Sequence, residues 1–132
     1  MQNTPPLSNR FINVVQGKTL DRFSVYELHD AARDGDKYML LHLLAMGMSV
    51  EQPTRWGQTP LVTAVEAGQT EIVRLLIGKG ANVNAKNRST QTALMLAVQG
   101  GHTEIEGLLR VAGALTETTT WYGYKAADYR PK

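Results

Sequence analysis

Cysteine is missing altogether from this sequence of 132 residues, and with it go disulfides, thiolate metal sites and cysteine nucleophiles. Histidine is scarce. With only three in the chain, an imidazole-based metal or acid–base site would have to gather His29, His42 and His102 from far apart. No apolar run approaches the roughly eighteen residues that a membrane span takes. The stretch FINVV at 11–15 is too short for the core of a signal peptide. That points to the cytoplasm; a periplasmic or secreted location would follow only if an export signal had been removed ahead of Met1. A strong charge imbalance is lacking too. A net charge of +2 is far from the basic face that nucleic acid usually selects.

What remains is a chain long enough for a single domain with one continuous core, and it repeats itself. Residues 55–87, RWGQTPLVTAVEAGQTEIVRLLIGKGANVNAKN, align with residues 88–120, RSTQTALMLAVQGGHTEIEGLLRVAGALTETTT, at fourteen of thirty-three positions. Thr59/Thr92, Leu61/Leu94, Ala64/Ala97, Gly68/Gly101, Ile72/Ile105, Leu76/Leu109 and Gly80/Gly113 are among them. The same offset backwards gives residues 22–54, with weaker matches at Leu28, Ala31, Gly35, Leu43, Gly47 and Val50. Forwards it gives the fragment WYGYKAADYRPK, residues 121–132. A fixed period of this size marks a stacked repeat architecture.

Each unit carries signals for two helices and a hairpin. Thr59 is placed to cap a helix with Pro60 at its first position, where the missing N–H costs nothing. Ser24 and Glu27 have capping-box spacing at the matching place of the first unit. Leu61, Ala64 and Val65 form one apolar stripe, and Ile72, Leu75 and Leu76 the next. Gly47, Gly80 and Gly113 fall where a left-handed helix end is expected. One unit cannot bury these stripes alone, so stacking must supply the core.

These motifs resemble the ankyrin repeat. Its TPLHxA core is seen as TPLVTA at 59–64 and TALMLA at 92–97, with ELHDAA at 27–32 keeping only the second half. GKGANVNA at 78–85 is similar to the family's second-helix end and hairpin entry. The resemblance implies an all-α solenoid of stacked helix-turn-helix units joined by β-hairpin-like loops. It divides the chain into an N-terminal cap at 1–21, repeats at 22–54, 55–87 and 88–120, and a partial fourth repeat or C-terminal cap at 121–132. Leu7, Phe11, Ile12, Val14 and Val15 would give the first cap its apolar cover. His42 stands where the other units have Leu75 and Leu108, so the first outer helix is expected to pack differently. Glu106 and Gly107 replace Val73 and Arg74, poor choices beneath a full neighbouring repeat. The third outer helix is therefore expected to be partly solvated.

Motifs that could carry chemistry fail on their spacing. QGKT at 16–19 ends like a phosphate-binding loop, but the glycine required five residues earlier is Ile12. His102-Thr103-Glu104 is half of a zinc-deaminase signature whose other half needs cysteines. The resemblance instead assigns His102 and His29 to hydrogen bonds within and between repeats. Asp34-Gly35-Asp36 is followed by Met39, Leu40 and Leu41 rather than calcium ligands, and reads as a turn. No serine has a nucleophile-elbow context. No catalytic, cofactor or metal site is expected, and the chain is not read as an enzyme.

The resemblance places the working surface on the hairpin tips and the concave helical side. Carried over position by position, the tips give Arg55, Trp56 and Gln58; Arg88, Ser89 and Gln91; and Trp121, Tyr122 and Tyr124. The first-helix ends give Arg33 and Asp34, Glu66 and Ala67, and Gln99 and Gly100. Interface hot spots are enriched in Trp, Tyr and Arg, which suits the tips. The expectation is a monomer that binds one partner protein, as an inhibitor or protective partner of an enzyme, without membrane contact. The aromatic and basic end WYGYKAADYRPK offers a rival reading as a nucleic-acid adaptor. A small enzyme with an unrecognised site is the remaining alternative.

Overall fold

The computed structural model describes residues 22–120 and 122–129; the expected cap at 1–21 and Trp121 lie outside the described residues. Six α-helices follow one another among those described: α1 (Arg22–Asp34), α2 (Lys37–Ala45), α3 (Pro60–Glu66), α4 (Thr70–Gly78), α5 (Ala93–Gly100) and α6 (Thr103–Val111). A 3-10 helix at Ala126–Tyr129 comes after them. The only strand-like pairing among the described residues is an isolated antiparallel bridge between Lys86 and Thr92. The fold is all-α.

Helices α1, α3 and α5 and the 3-10 helix pack side by side as an inner row. Each inner α-helix also packs on the outer helix that follows it, and α4 packs on α6. This layering explains the two burial patterns. Helix α3 buries Pro60 through Val65 and α5 buries Ala93 through Val98, because each is pressed on several sides. The outer α4 and α6 bury single stripes, Ile72, Val73 and Leu76 in one and Ile105 and Leu109 in the other. Ala64 and Ala97, both fully buried, leave room for the inner helices to approach closely.

Helix ends recur with the sequence period. Thr59 Oγ1 accepts from Val62 N at 3.4 Å to start α3, and Thr92 Oγ1 accepts from Met95 N at 3.3 Å to start α5. Asp36, read only as part of a turn, caps α2 by accepting from Met39 N at 3.1 Å. At the close of the inner helices, Asp36, Gln69 and His102 N–H groups donate to the Ala31, Ala64 and Ala97 carbonyls, each at 2.9 Å. At the close of the outer helices, Met48, Ala81 and Ala114 donate likewise to Leu43, Leu76 and Leu109 at 3.1, 3.0 and 2.9 Å. These bonds satisfy carbonyls that a helix end otherwise orphans.

The capping box expected at Ser24 is not the start of α1, which already runs from Arg22. No glycine or proline stands between Arg22 and Arg33 to break the helix at Ser24. At the other end, the Glu106 side chain is largely buried and pairs with Arg110 at 2.9 Å, whereas Gly107 and Arg110 are exposed and Val111 is 91% exposed. The third outer helix is thus solvated along part of its face. The 3-10 helix covers α5 instead: Ala126 is buried, and Tyr129 packs against the core and edge-on to Tyr124, with ring centroids 6.2 Å apart.

Candidate protein-binding surface

Three hairpin tips, one per repeat boundary, are built on one bonding scheme. Thr54 N donates to Gln58 O at 3.0 Å, Asn87 N to Gln91 O at 3.0 Å and Thr120 N to Tyr124 O at 2.9 Å. The residue in the left-handed corner donates back to the first residue in each: Gly57 to Thr54, Thr90 to Asn87 and Gly123 to Thr120, all at 2.9 Å. The first residue's side-chain oxygen closes the turn. Thr54 Oγ1 accepts from Trp56 N and Gln58 N, Asn87 Oδ1 from Ser89 N and Gln91 N, and Thr120 Oγ1 from Tyr122 N and Tyr124 N. Side chains at 56, 89 and 122 therefore occupy equivalent places on successive tips. Trp56 is 64% exposed and Tyr122 86%.

Beneath the first tip lies an open groove of about 360 Å³ between α1, α3 and the hairpin, with Tyr26, Asp30, Arg33, Trp56 and Glu66 among its lining. Its floor is a chain of hydrogen bonds. His29 Nε2 lies 2.8 Å from the Gln52 carbonyl and must donate, since a carbonyl only accepts. His29 Nδ1, 2.9 Å from Thr63 Oγ1, is then the acceptor for the Thr63 hydroxyl. Gln58 Nε2 donates to Thr63 Oγ1 at 3.2 Å and to Glu66 Oε1 at 2.7 Å, tying the tip to α3. Burial is the main cause holding the His29 imidazole below its ordinary 6.5. The inter-repeat role that the resemblance gave His29 is the one it performs.

His102 behaves differently from that expectation. It begins α6 through its backbone, but its side chain makes no capping bond. The ring lies instead between two glycines: a Cβ at Gly68 would stand 2.9 Å from His102 Cε1, and one at Gly100 2.7 Å from Nε2. The space that a side chain would take at these two glycines is filled by the imidazole. Gln69, at the equivalent place one repeat earlier, likewise makes no side-chain capping bond but donates from Nε2 to the Arg33 carbonyl of the preceding repeat at 2.8 Å.

The remaining candidate residues divide by how they are engaged. Arg33 is tied to Asp30 and Asp34 in an exposed triad. Gln58 and Gln91 are half-buried and brace their own hairpins, Gln91 Oε1 accepting from Asn87 Nδ2 at 3.4 Å. Arg55, Arg88, Ser89, Glu66, Ala67, Gln99 and Gly100 are exposed, as is Tyr124. Arg55 lies over the Trp56 ring, 5.6 Å from its centroid, a cation–π arrangement. Sequence reasoning passed over Tyr26 and Asp30. Their spacing with Arg33, four and three residues apart, puts all three on one helical face, and that periodicity was the available signal.

Among the described residues, no cluster of three or more His, Asp or Glu side chains is grouped so as to hold a metal ion. No helix among them is long and apolar enough to cross a membrane. A search of curated proteins finds no significant match to the chain. A family model described as ankyrin repeats, in three copies, matches residues 28–116. The chain belongs to that family, whose repeats are generally protein–protein interaction modules and typically non-catalytic.

Proposed function

We infer that this chain is a non-catalytic binding module that holds one partner protein along the hairpin tips and the groove between them and the inner helices. On this reading it works as a monomer in the cytoplasm, covering a target enzyme as its inhibitor or protective partner. The 3-10 helix at Ala126–Tyr129 closes the stack beyond α5. The observation that carries the reading is the shared hydrogen-bonding scheme of the tips, which puts Trp56, Ser89 and Tyr122 at equivalent places on successive turns. Pre-organised aromatic side chains bind with little ordering cost, and an exposed Trp beside an Arg is the usual composition of an interface anchor.

Affinity capture from native lysate, with the unaltered chain and an Arg55→Ala/Trp56→Ala variant as parallel baits, tests it. The reading expects a stoichiometric protein held by the first bait and lost from the second. Equal capture by both, with both folded by circular dichroism, would remove the tip from the function.

A further inference from the structure

Charge on the binding side is unevenly settled. In the groove, Arg33 is paired with Asp30 and Asp34, while Glu66 accepts from the neutral Gln58 amide and keeps its charge. At the far tip, Lys125 is paired with Glu117 at 2.6 Å. The two nearer tips differ: residues 54–58 and 87–91 contain Arg55 and Arg88 and no acid. Among the described residues neither arginine forms an ion pair. They are also drawn together. Arg88 N donates to the Trp56 carbonyl at 3.4 Å, and the Arg88 side chain crosses the preceding tip at Gly57. A Cβ there would stand 3.1 Å from Arg88 Cγ and 3.8 Å from Nε. Arg55 covers the indole of Trp56. One guanidinium thus lies over the exposed Trp56 ring and a second arginine runs beside the adjoining Gly57, neither with an ion-pair partner among the described residues.

We propose that the Arg55–Trp56–Arg88 cluster recognises an acidic segment of the partner protein. This rests on the protein-binding reading above and adds the chemistry of what is bound. The guanidiniums take carboxylates through paired N–H donors, and the ring takes the apolar side chain that lies between those carboxylates. The near-neutral whole chain makes this field local, set by which charges are already paired within the fold.

Trp121→Phe leaves Trp56 as the only tryptophan of the two in the sequence, so its emission reports on the cluster. The probes are short synthetic peptides with Asp and Glu on both sides of a Leu, their Lys/Arg and Gln/Asn counterparts, and an oligothymidylate of similar charge. Calorimetry on the unsubstituted chain repeats each titration without the Trp121 change. The acidic peptide should shift Trp56 emission and weaken as salt rises. Its affinity should fall roughly tenfold or more in Arg55→Ala/Arg88→Ala, and Arg55→Glu/Arg88→Glu should prefer the basic peptide. Acidic-peptide binding that is absent, or unmoved by the arginine substitutions, overturns the proposal. So does tighter binding of the oligothymidylate, which would make the cluster a nucleic-acid site. A lysate partner that depends on Trp56 alongside a failed acidic peptide sinks the acidic chemistry alone. Loss of both sinks the binding reading with it.

Discussion

His29 Nδ1 stands 2.9 Å from Thr63 Oγ1, so one hydrogen bond joins α1 to α3 across the first repeat boundary. The other ring nitrogen is spent on the Gln52 carbonyl. Protonation must charge a buried ring and turn the Thr63 hydroxyl around. Burial lowers the affinity of His29 for a proton; the Gln52 carbonyl and the Asp30 charge oppose this, and Arg33 adds to it. The unfolded chain therefore binds the proton more readily, and stability from this group is whole above pH 6.5 and drains away as pH falls through the lower folded value. Urea midpoints measured from about pH 7.5 to about pH 5 should decline, and His29→Asn should flatten part of that decline. Identical slopes in both proteins would show that His29 is not responsible.

Thr63 is the node of the network, since it also receives Gln58. Replacing it by Val keeps the shape and strands the buried Nδ1 of His29. A loss of about 1–3 kcal/mol is expected, with Thr63→Ser retaining most of the stability. Chemical denaturation measures both; a Thr63→Val loss below about 0.5 kcal/mol would mean that the bond is incidental.

Thr90 sits at φ 60, the one non-glycine residue at positive φ among the described residues, where the neighbouring tips have Gly57 and Gly123. A β-branched residue there is strained by about 1–2 kcal/mol, partly offset by the entropy that glycine would lose on folding. Thr90→Gly should stabilise by about 0.5–1 kcal/mol, read as a raised Tm. A lowered Tm would mean that the Thr90 hydroxyl, which donates to the Ser89 carbonyl at 2.6 Å, outweighs the strain.

Leu94 is fully buried on α5, between α3 and the 3-10 helix. Leu94→Ala should cost about 2–5 kcal/mol, whereas Leu115→Ala, at an exposed residue, should cost almost nothing. Equal losses at the two positions would deny that the inner row carries the core.

The stacking was legible in the sequence because it is written in identical residues: Leu61 with Leu94, Gly80 with Gly113, and Thr59 with Thr92 recur where the physics of packing, turning and capping recurs. Contacts between repeats were not, because unlike side chains perform them. Glu51 accepts from Asn82 N and Asn84 from Leu115 N, the second at 2.8 Å. The positions are periodic and the chemistry is not. Gln69 and His102 diverge in the same way, one bonding a carbonyl and the other wedging between glycines. Of the candidate surface, the tips could be numbered from the glycine pattern. Gln58 and Gln91 looked as free as Trp56, since nothing in their spacing reveals that they fold inwards.

The most direct measurement is the affinity of the captured partner, by calorimetry, for three chains: unaltered, Trp56→Ala, and Glu71→Ala at an exposed position on α4. Trp56→Ala should weaken binding by roughly 2 kcal/mol or more, as loss of an anchor does, and Glu71→Ala should leave it unchanged. If the outer-helix substitution weakens capture while Trp56→Ala does not, the partner sits on the opposite side of the stack and the account is wrong.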